Sequence, residues 1–82
     1  MDVYIVENSR IAREALQSVL SDMPEVKVVG HAVDEYRAIE RIGELLPDAV
    51  ILDLSLQSGS GIGVLEHVKK QHPAIKIIVF TH

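Results

Sequence analysis

Three prolines divide the chain at nearly regular intervals, and each one follows a helix-like stretch and precedes a short apolar run. The prolines are Pro24, Pro47 and Pro73. The apolar runs are rich in Val and Ile and cover residues 3–6, 26–30, 49–54 and 75–80. The last two runs are almost continuously apolar, which is typical of strands that are covered on both faces.

Between the apolar runs, hydrophobic residues recur at the three- and four-residue spacing of amphipathic helices. This spacing predicts helices over about residues 9–22, 34–46 and 60–71, with Asn8 or Ser9 as the cap of the first and Asp34 as the cap of the second. Strands and helices therefore alternate from one end of the chain to the other. Such alternation predicts an α/β fold with a parallel sheet and right-handed crossovers.

Composition narrows the class of protein further. The 82 residues allow one small domain, and the absence of Cys excludes disulfides and thiolate metal sites. The net charge of −4 argues against binding of nucleic acid by this chain alone. No apolar run approaches the length of a membrane span, and the N-terminus lacks the pattern of a signal peptide. We expect a cytoplasmic protein with no membrane partner.

Polar residues follow three of the predicted strands, at the edge of a parallel sheet where ligands usually bind. With strand order 2-1-3-4, Glu7, Asn8, Asp53 and Thr81 converge there. Two carboxylates ~5 Å apart repel by roughly 3 kcal/mol at an effective dielectric near 20, so the pair takes up a proton or binds a cation. Oxygen ligands of this kind suit Mg²⁺, and Asp53 could then attack phosphorus. The alternative is that each acidic residue only forms a turn or caps a helix.

These segments resemble the receiver domain of bacterial two-component response regulators, of the kind found ahead of helix-turn-helix output domains. The most specific piece is PDAVILDL at residues 47–54, with Gly61 eight residues beyond Asp53. The resemblance implies a flavodoxin-like (CheY-like) parallel sheet, truncated to (βα)3β with strand order 2-1-3-4. It also implies that residues 1–82 form a single receiver-like domain that lacks the usual last strand and two helices.

The resemblance assigns a role to each residue of the candidate site. Asp53 is the phosphoacceptor and forms an aspartyl phosphate; Glu7, Asn8, Asp53 and the backbone carbonyl of Ser55 are Mg²⁺ ligands; Thr81 is the phosphoryl-binding switch hydroxyl; His82 stands at the access to the site. Asn8 replaces a carboxylate of the family, which implies weaker Mg²⁺ binding. Leu56 and Gln57 stand where Met-Pro is usual, and the family's Lys would lie beyond residue 82.

The function that follows from this resemblance is a receiver module of a phosphorelay, a signalling domain rather than a dedicated enzyme. The phosphoryl group would come from a sensor histidine kinase or a small phosphodonor. Asn8, His82 and the missing Lys favour an alternative, a non-phosphorylated pseudo-receiver that acts as an interaction or dimerisation module. A third interpretation, a metal-dependent phosphohydrolase, lacks its general acid because Ser55 stands where such enzymes have a second Asp.

The strand over residues 75–80 is also a candidate for self-association. One helix lies on one face of the predicted sheet, so we expect the area over the third and fourth strands to be bare there. The fourth strand is an open edge whose only charge is Lys76. Unprotected apolar edges pair readily with other chains, so we predict a dimer or larger assembly through this strand and the uncovered face.

Two other patterns receive a plain structural interpretation. The segment GSGIG at residues 59–63 lacks the spacing of a dinucleotide-binding loop, so we expect a flexible loop and a helix start. His31, His67, His72 and His82 form no metal pair in the sequence pattern. His67 and His72 are five residues apart and are not expected to share a helix face.

Overall fold

A computed structural model describes residues 1–56 and 59–80, and in these ranges four parallel strands alternate with three helices. The elements are β1 (Asp2–Val6), α1 (Arg10–Ser21), β2 (Lys27–Ala32), α2 (Glu35–Leu45), β3 (Ala49–Asp53), α3 (Gly61–Gln71) and β4 (Lys76–Phe80). All strand pairs are parallel, and the strand order is β2-β1-β3-β4. The predicted α/β fold, its elements and its strand order are confirmed, and β2 extends two residues further than predicted.

Each helix begins at a polar side chain that accepts a hydrogen bond from a backbone N–H one turn later. Such caps stabilise a helix by about 1 kcal/mol. The three pairs are Ser9 with Ala12 at 3.2 Å, Asp34 with Arg37 at 2.8 Å, and Ser60 with Gly63 at 3.2 Å. The cap that follows α2 is Leu46, whose φ of 46° is left-handed and which leads into Pro47. Local sequence therefore sets the helix boundaries.

The sheet has a two-helix face, covered by α2 and α3, and a one-helix face, covered by α1. The two-helix face carries the larger core, with nine buried residues among those described. Its members are Tyr4, Val6, Ala32, Ala38, Ile42, Val50, Leu52, Val64 and Val68. On the one-helix face the buried cluster is Val3, Ala49 and Ile51, against which Leu16, Leu20, Val26 and Phe80 pack. β1 and β3 are therefore buried between two layers.

β4 departs from the prediction that its apolar run is covered on both faces. Ile78 and Val79 remain 53% and 43% exposed, on opposite faces of the sheet. The expected bare area is also smaller than predicted, because every residue of β3 is buried. Leu16 and Leu20 of α1, together with Phe80, pack against the cluster that contains Ala49 and Ile51 of β3 on the one-helix face. Exposure at this side of the sheet is thus concentrated in β4.

None of the helices in the described part of the chain has the length and hydrophobicity that crossing a bilayer requires.

Candidate functional site

Two acidic residues lie side by side at the carboxyl ends of the central strands. Val6 of β1 pairs with Leu52 of β3, so the residues that follow, Glu7 and Asp53, are neighbours across the sheet. Adjacent strands are about 4.8 Å apart. The Glu7 backbone N–H also donates to the Ala32 carbonyl at 3.0 Å, which holds Glu7 in line with β1. The predicted convergence of these two carboxylates follows directly from the strand order.

Both acidic residues are deeply buried. Glu7 is 0% exposed and Asp53 is 2% exposed. Acidic residues rarely lose all contact with water unless a cation or hydrogen-bond donors compensate the charge. Oδ1 of Asp53 accepts a hydrogen bond from the Ser55 backbone N–H at 3.0 Å, which orients the carboxylate and turns the following loop toward it. The burial of two adjacent acidic residues is therefore typical of a site that binds a cation or receives hydrogen bonds.

The other predicted donors follow the two strands on the surface. Asn8 and Ser55 are exposed, directly after Glu7 and just beyond Asp53. Two carboxylates, an amide and a backbone carbonyl form an all-oxygen donor set, which suits Mg²⁺. In the ranges 1–56 and 59–80, no cluster of three or more His, Cys, Asp or Glu side chains is placed to hold a metal. An ion here would therefore depend on Asn8 and the Ser55 carbonyl as well.

Arg13 also helps to shape this site, a role that the sequence pattern did not reveal. Its Nη1 donates to the backbone carbonyl of Glu7 at 3.0 Å, and this bond fixes the turn between β1 and α1. The position of this Arg, one turn past the cap Ser9, was the sequence signal that could have indicated the contact.

His31 in β2 lies near Arg13 and has a perturbed pKa. Burial, and secondarily the charge of Arg13, lowers the pKa of His31.

Gly61 explains the eight-residue spacing that follows Asp53. A Cβ at this position would overlap the carbonyl oxygen of Asp53 and the Cα of Leu54. The Gly61 N–H also donates to the Leu54 carbonyl at 3.3 Å. α3 therefore begins in direct contact with the backbone beside Asp53, an approach that only glycine permits.

The described part of the loop before α3 contacts α2 rather than standing free. Oε1 of Glu35 accepts a hydrogen bond from the Ser60 backbone N–H at 2.8 Å. Gly59, with a φ of 81°, packs against the same side chain. The N-terminus of a helix can bind a phosphate, but at the start of α3 the carboxylate of Glu35 takes that position.

Three residues named in the prediction lie outside the described residues: Gln57, Thr81 and His82. Their roles remain predictions that rest on the resemblance and, for Thr81, also on the predicted strand order. Phe80, the last described residue, pairs with Asp53 across the β3–β4 register.

His67 and His72 meet edge to face, with ring centroids 6.4 Å apart. Because His72 lies after the end of α3, the two rings approach each other without sharing a helix face.

A parallel α/β sheet with a buried acidic pair at its carboxyl edge defines a domain whose ligand site lies at the ends of its central strands. The response regulator receiver domain family matches residues 3–82, and the chain belongs to this family. The response regulator domain of Thermotoga maritima CheB superposes with a TM-score of 0.91 at 31% identity, covering 99% of this chain and 60% of that one. RcsB from Salmonella enterica serovar Typhimurium, bound to promoter rprA with phosphomimetic BeF3⁻, superposes with a TM-score of 0.90 at 30% identity, covering 99% and 68%.

Curated relatives contain the same domain within longer proteins. The protein-glutamate methylesterase/protein-glutamine glutaminase of Hydrogenovibrio crunogenus is 35% identical over 79 residues, which cover 96% of this chain and 21% of that protein. This chain thus spans about a fifth of the length of that relative. Family membership makes the chain a receiver module consistent with phosphorelay signalling, and it does not favour the pseudo-receiver alternative. Receiver domains generally bind Mg²⁺ at the phosphorylation site and interact with histidine kinases and phosphodonors.

Proposed function

We propose that Asp53 accepts a phosphoryl group in a Mg²⁺-dependent reaction. One observation carries the proposal: Glu7 and Asp53 are buried side by side at the carboxyl ends of the two central strands. Two adjacent carboxylates gain most from a divalent cation, which offsets their repulsion. Glu7, Asn8, Asp53 and the backbone carbonyl of Ser55 would hold the ion, and Asn8 makes the affinity lower than a third carboxylate would.

The transfer is a simple displacement at phosphorus. A carboxylate oxygen of Asp53 forms a new bond to phosphorus, and the bond from phosphorus to the donor atom breaks. The departing imidazole nitrogen of a phosphohistidine, or the acyl oxygen of a small phosphodonor, keeps the electron pair. When bound, Mg²⁺ offsets the charge on the transferred group. The Ser55 N–H, which donates to Oδ1 of Asp53, would orient the carboxylate for this attack.

Thr81 and His82 complete this proposal on the basis of the resemblance. The Thr81 hydroxyl would donate to a phosphoryl oxygen, and His82 would border the access to Asp53. We propose that the protein works in the cytoplasm, where a kinase partner would reach it, and that residues 1–82 act there as one receiver-like unit.

Beryllofluoride, which mimics a phosphoryl group on a carboxylate, provides the test. With Mg²⁺ present, we expect saturable amide-shift changes at Asp53, Glu7 and Ser55, and a small phosphodonor should add the mass of one phosphoryl group. Asp53→Asn should abolish both responses, whereas Asp22→Asn, at the exposed end of α1, should leave them unchanged. A native protein that shows neither response would refute the proposal.

We also propose that the chain self-associates through β4 and the adjoining one-helix face. Ile78 and Val79 are exposed on the two sides of β4, and an apolar hollow between α1 and the strand reaches Phe80 at the end of β4. The hollow is lined by Ala12, Ala15, Leu16, Val19 and Phe80. Exposed apolar edge strands pair with a second copy unless charges protect them.

Sedimentation velocity tests this second proposal. The native protein should form dimers or larger species at high micromolar concentration, and Ile78→Lys should shift it to monomer. Ile62→Lys is the matched control, because Ile62 of α3 is equally exposed on a different surface. A compact native monomer at that concentration would exclude self-association.

A further inference from the structure

Glu35 places its carboxylate between the N-termini of two helices. It is the first residue of α2, and its Oε1 accepts the Ser60 N–H, at the cap of α3, at 2.8 Å. Helix N-termini carry partial positive charge, so a carboxylate between two of them is stabilised by both. The side chain therefore ties the start of α2 to the start of α3.

Two glycines enclose this carboxylate. A Cβ on Gly59 would come within 2.6 Å of the Glu35 Cβ, and a Cβ on Gly63 would overlap Oε2. Any side chain at either position would push Glu35 away from Ser60. The glycine-rich segment is thus shaped around an internal anion.

The contact continues to the phosphoacceptor strand in two steps. Ser60, which Glu35 holds, is followed by Gly61, whose N–H bonds the Leu54 carbonyl at 3.3 Å. Gly61 also packs directly against the backbone of Asp53 and Leu54. A displacement of the α3 start would therefore move the backbone that sets the direction of Asp53 and of the Ser55 carbonyl.

We propose that Glu35 is a positioning residue for phosphoryl acceptance at Asp53. It holds the start of α3 against the end of β3, and so keeps the carboxylate of Asp53 and the carbonyl of Ser55 in the geometry that Mg²⁺ and a phosphoryl group require. This inference rests on the proposed function of Asp53. Glu35 is not among the residues proposed to hold the ion or the phosphoryl group, so its role would be exerted through Ser60 and Gly61.

Titration with beryllofluoride and Mg²⁺ tests this role through two substitutions at one position. Glu35→Ala should weaken the affinity about three- to tenfold, because the charge-assisted hydrogen bond to Ser60 is lost. Glu35→Gln, whose amide oxygen can still accept that bond, should stay within about twofold of the native value. Glu44→Ala, an exposed substitution in the same helix, is the control and should leave the affinity unchanged.

A double-mutant cycle with Gly63 separates positioning from general stability. Gly63→Ala should weaken the affinity when Glu35 is present, because the new methyl group displaces its carboxylate. The same substitution should have no such effect in the Glu35→Ala background, where no carboxylate remains to be displaced. If Glu35→Ala lowers the melting temperature but leaves the affinity of the folded protein unchanged, Glu35 is only structural and the inference is wrong.

The ligand-free protein provides a readout that does not depend on the proposed function. Glu35→Ala should shift the amide resonances of Leu54, Ser55 and Gly61, and Glu35→Gln should restore them. If the native protein bound no beryllofluoride, the function of Asp53 would fail, while these shifts would still decide whether Glu35 positions the strand end. Unchanged shifts in Glu35→Ala would overturn the inference.

Discussion

The two faces of the sheet differ in how completely the described helices cover them. On the two-helix face, α2 and α3 bury nine residues in one cluster, whereas the buried cluster under α1 contains three. α1 itself has no buried residue, and its Val19 is 58% exposed. The comparison shows that the two-helix face is the more deeply buried of the two, whereas the one-helix face and β4 leave Val19, Ile78 and Val79 exposed.

The largest expected effect tests how tightly the two-helix face is packed beside Asp53. Gly61→Ala should lower the free energy of unfolding by about 3 kcal/mol, because its methyl group has no space against the backbone of residues 53 and 54. Urea denaturation measures the change. Gly43→Ala in α2 is the matched control, since a Cβ there meets nothing closer than His72 Nε2 at 3.8 Å. It should be neutral or should stabilise by about 1 kcal/mol.

A pair of identical substitutions compares the two faces directly. Val68→Ala in α3, which is fully buried, should cost about 2 kcal/mol of unfolding free energy. Val19→Ala in α1 should cost less than about 0.5 kcal/mol, because Val19 is mostly exposed and Ala favours the helix. Both losses are measured in one urea series, at a protein concentration where both variants are monomeric. Equal losses of unfolding free energy would contradict the difference in packing between the two faces.

A substitution of Tyr4 tests whether a buried polar atom lowers the stability of the core on the two-helix face. Tyr4 is 1% exposed, and its hydroxyl has no hydrogen-bond partner in the described part of the chain. Burial raises the pKa of Tyr4; the charge of Arg41 opposes this shift and that of Asp34 adds to it. Tyr4→Phe should therefore leave the stability unchanged or raise it by about 1 kcal/mol.

Chemical denaturation of Tyr4→Phe and of the exposed control Tyr36→Phe measures this difference. A loss of more than about 1 kcal/mol in Tyr4→Phe alone would mean that the hydroxyl makes a stabilising bond, for instance to water.

The smallest effect concerns the pH dependence at the edge of the sheet. The pKa of His31 is lower in the folded protein than in the unfolded chain, where it is about 6.5. Below that pH the unfolded state therefore binds more protons than the folded state. The stability contributed by neutral His31 should be complete above that pH and should decline as the pH falls. His31→Gln should remove this part of the pH dependence, measured as the melting-temperature difference from the native protein. A native-minus-variant difference that grows toward acid pH would contradict the assignment.

Periodicity and strand-end chemistry were enough to predict most of the fold and the acidic pair. The predicted caps Ser9 and Asp34 are confirmed, and strand order 2-1-3-4 places Glu7 beside Asp53. The apolar run of β4 suggested a covered strand, whereas the predicted topology left it at an open edge; the structure agrees with the topology, because burial depends on which elements pack against a strand. Arg13 and Glu35 were missed for a similar reason: an Arg or a Glu near a helix start usually indicates only a solvated surface.

The amino-acid sequence by itself determined the alternation of strands and helices, the helix caps and the identity of the acidic residues, because these depend on neighbours within a few residues. The tertiary structure decided which face is closely covered, why Gly61 admits no side chain and where the carboxylate of Glu35 lies. These features arise from contacts between elements far apart in the chain, such as the bond from Ser60 to Glu35 across 25 positions. Such contacts have no periodicity that a local pattern can reveal.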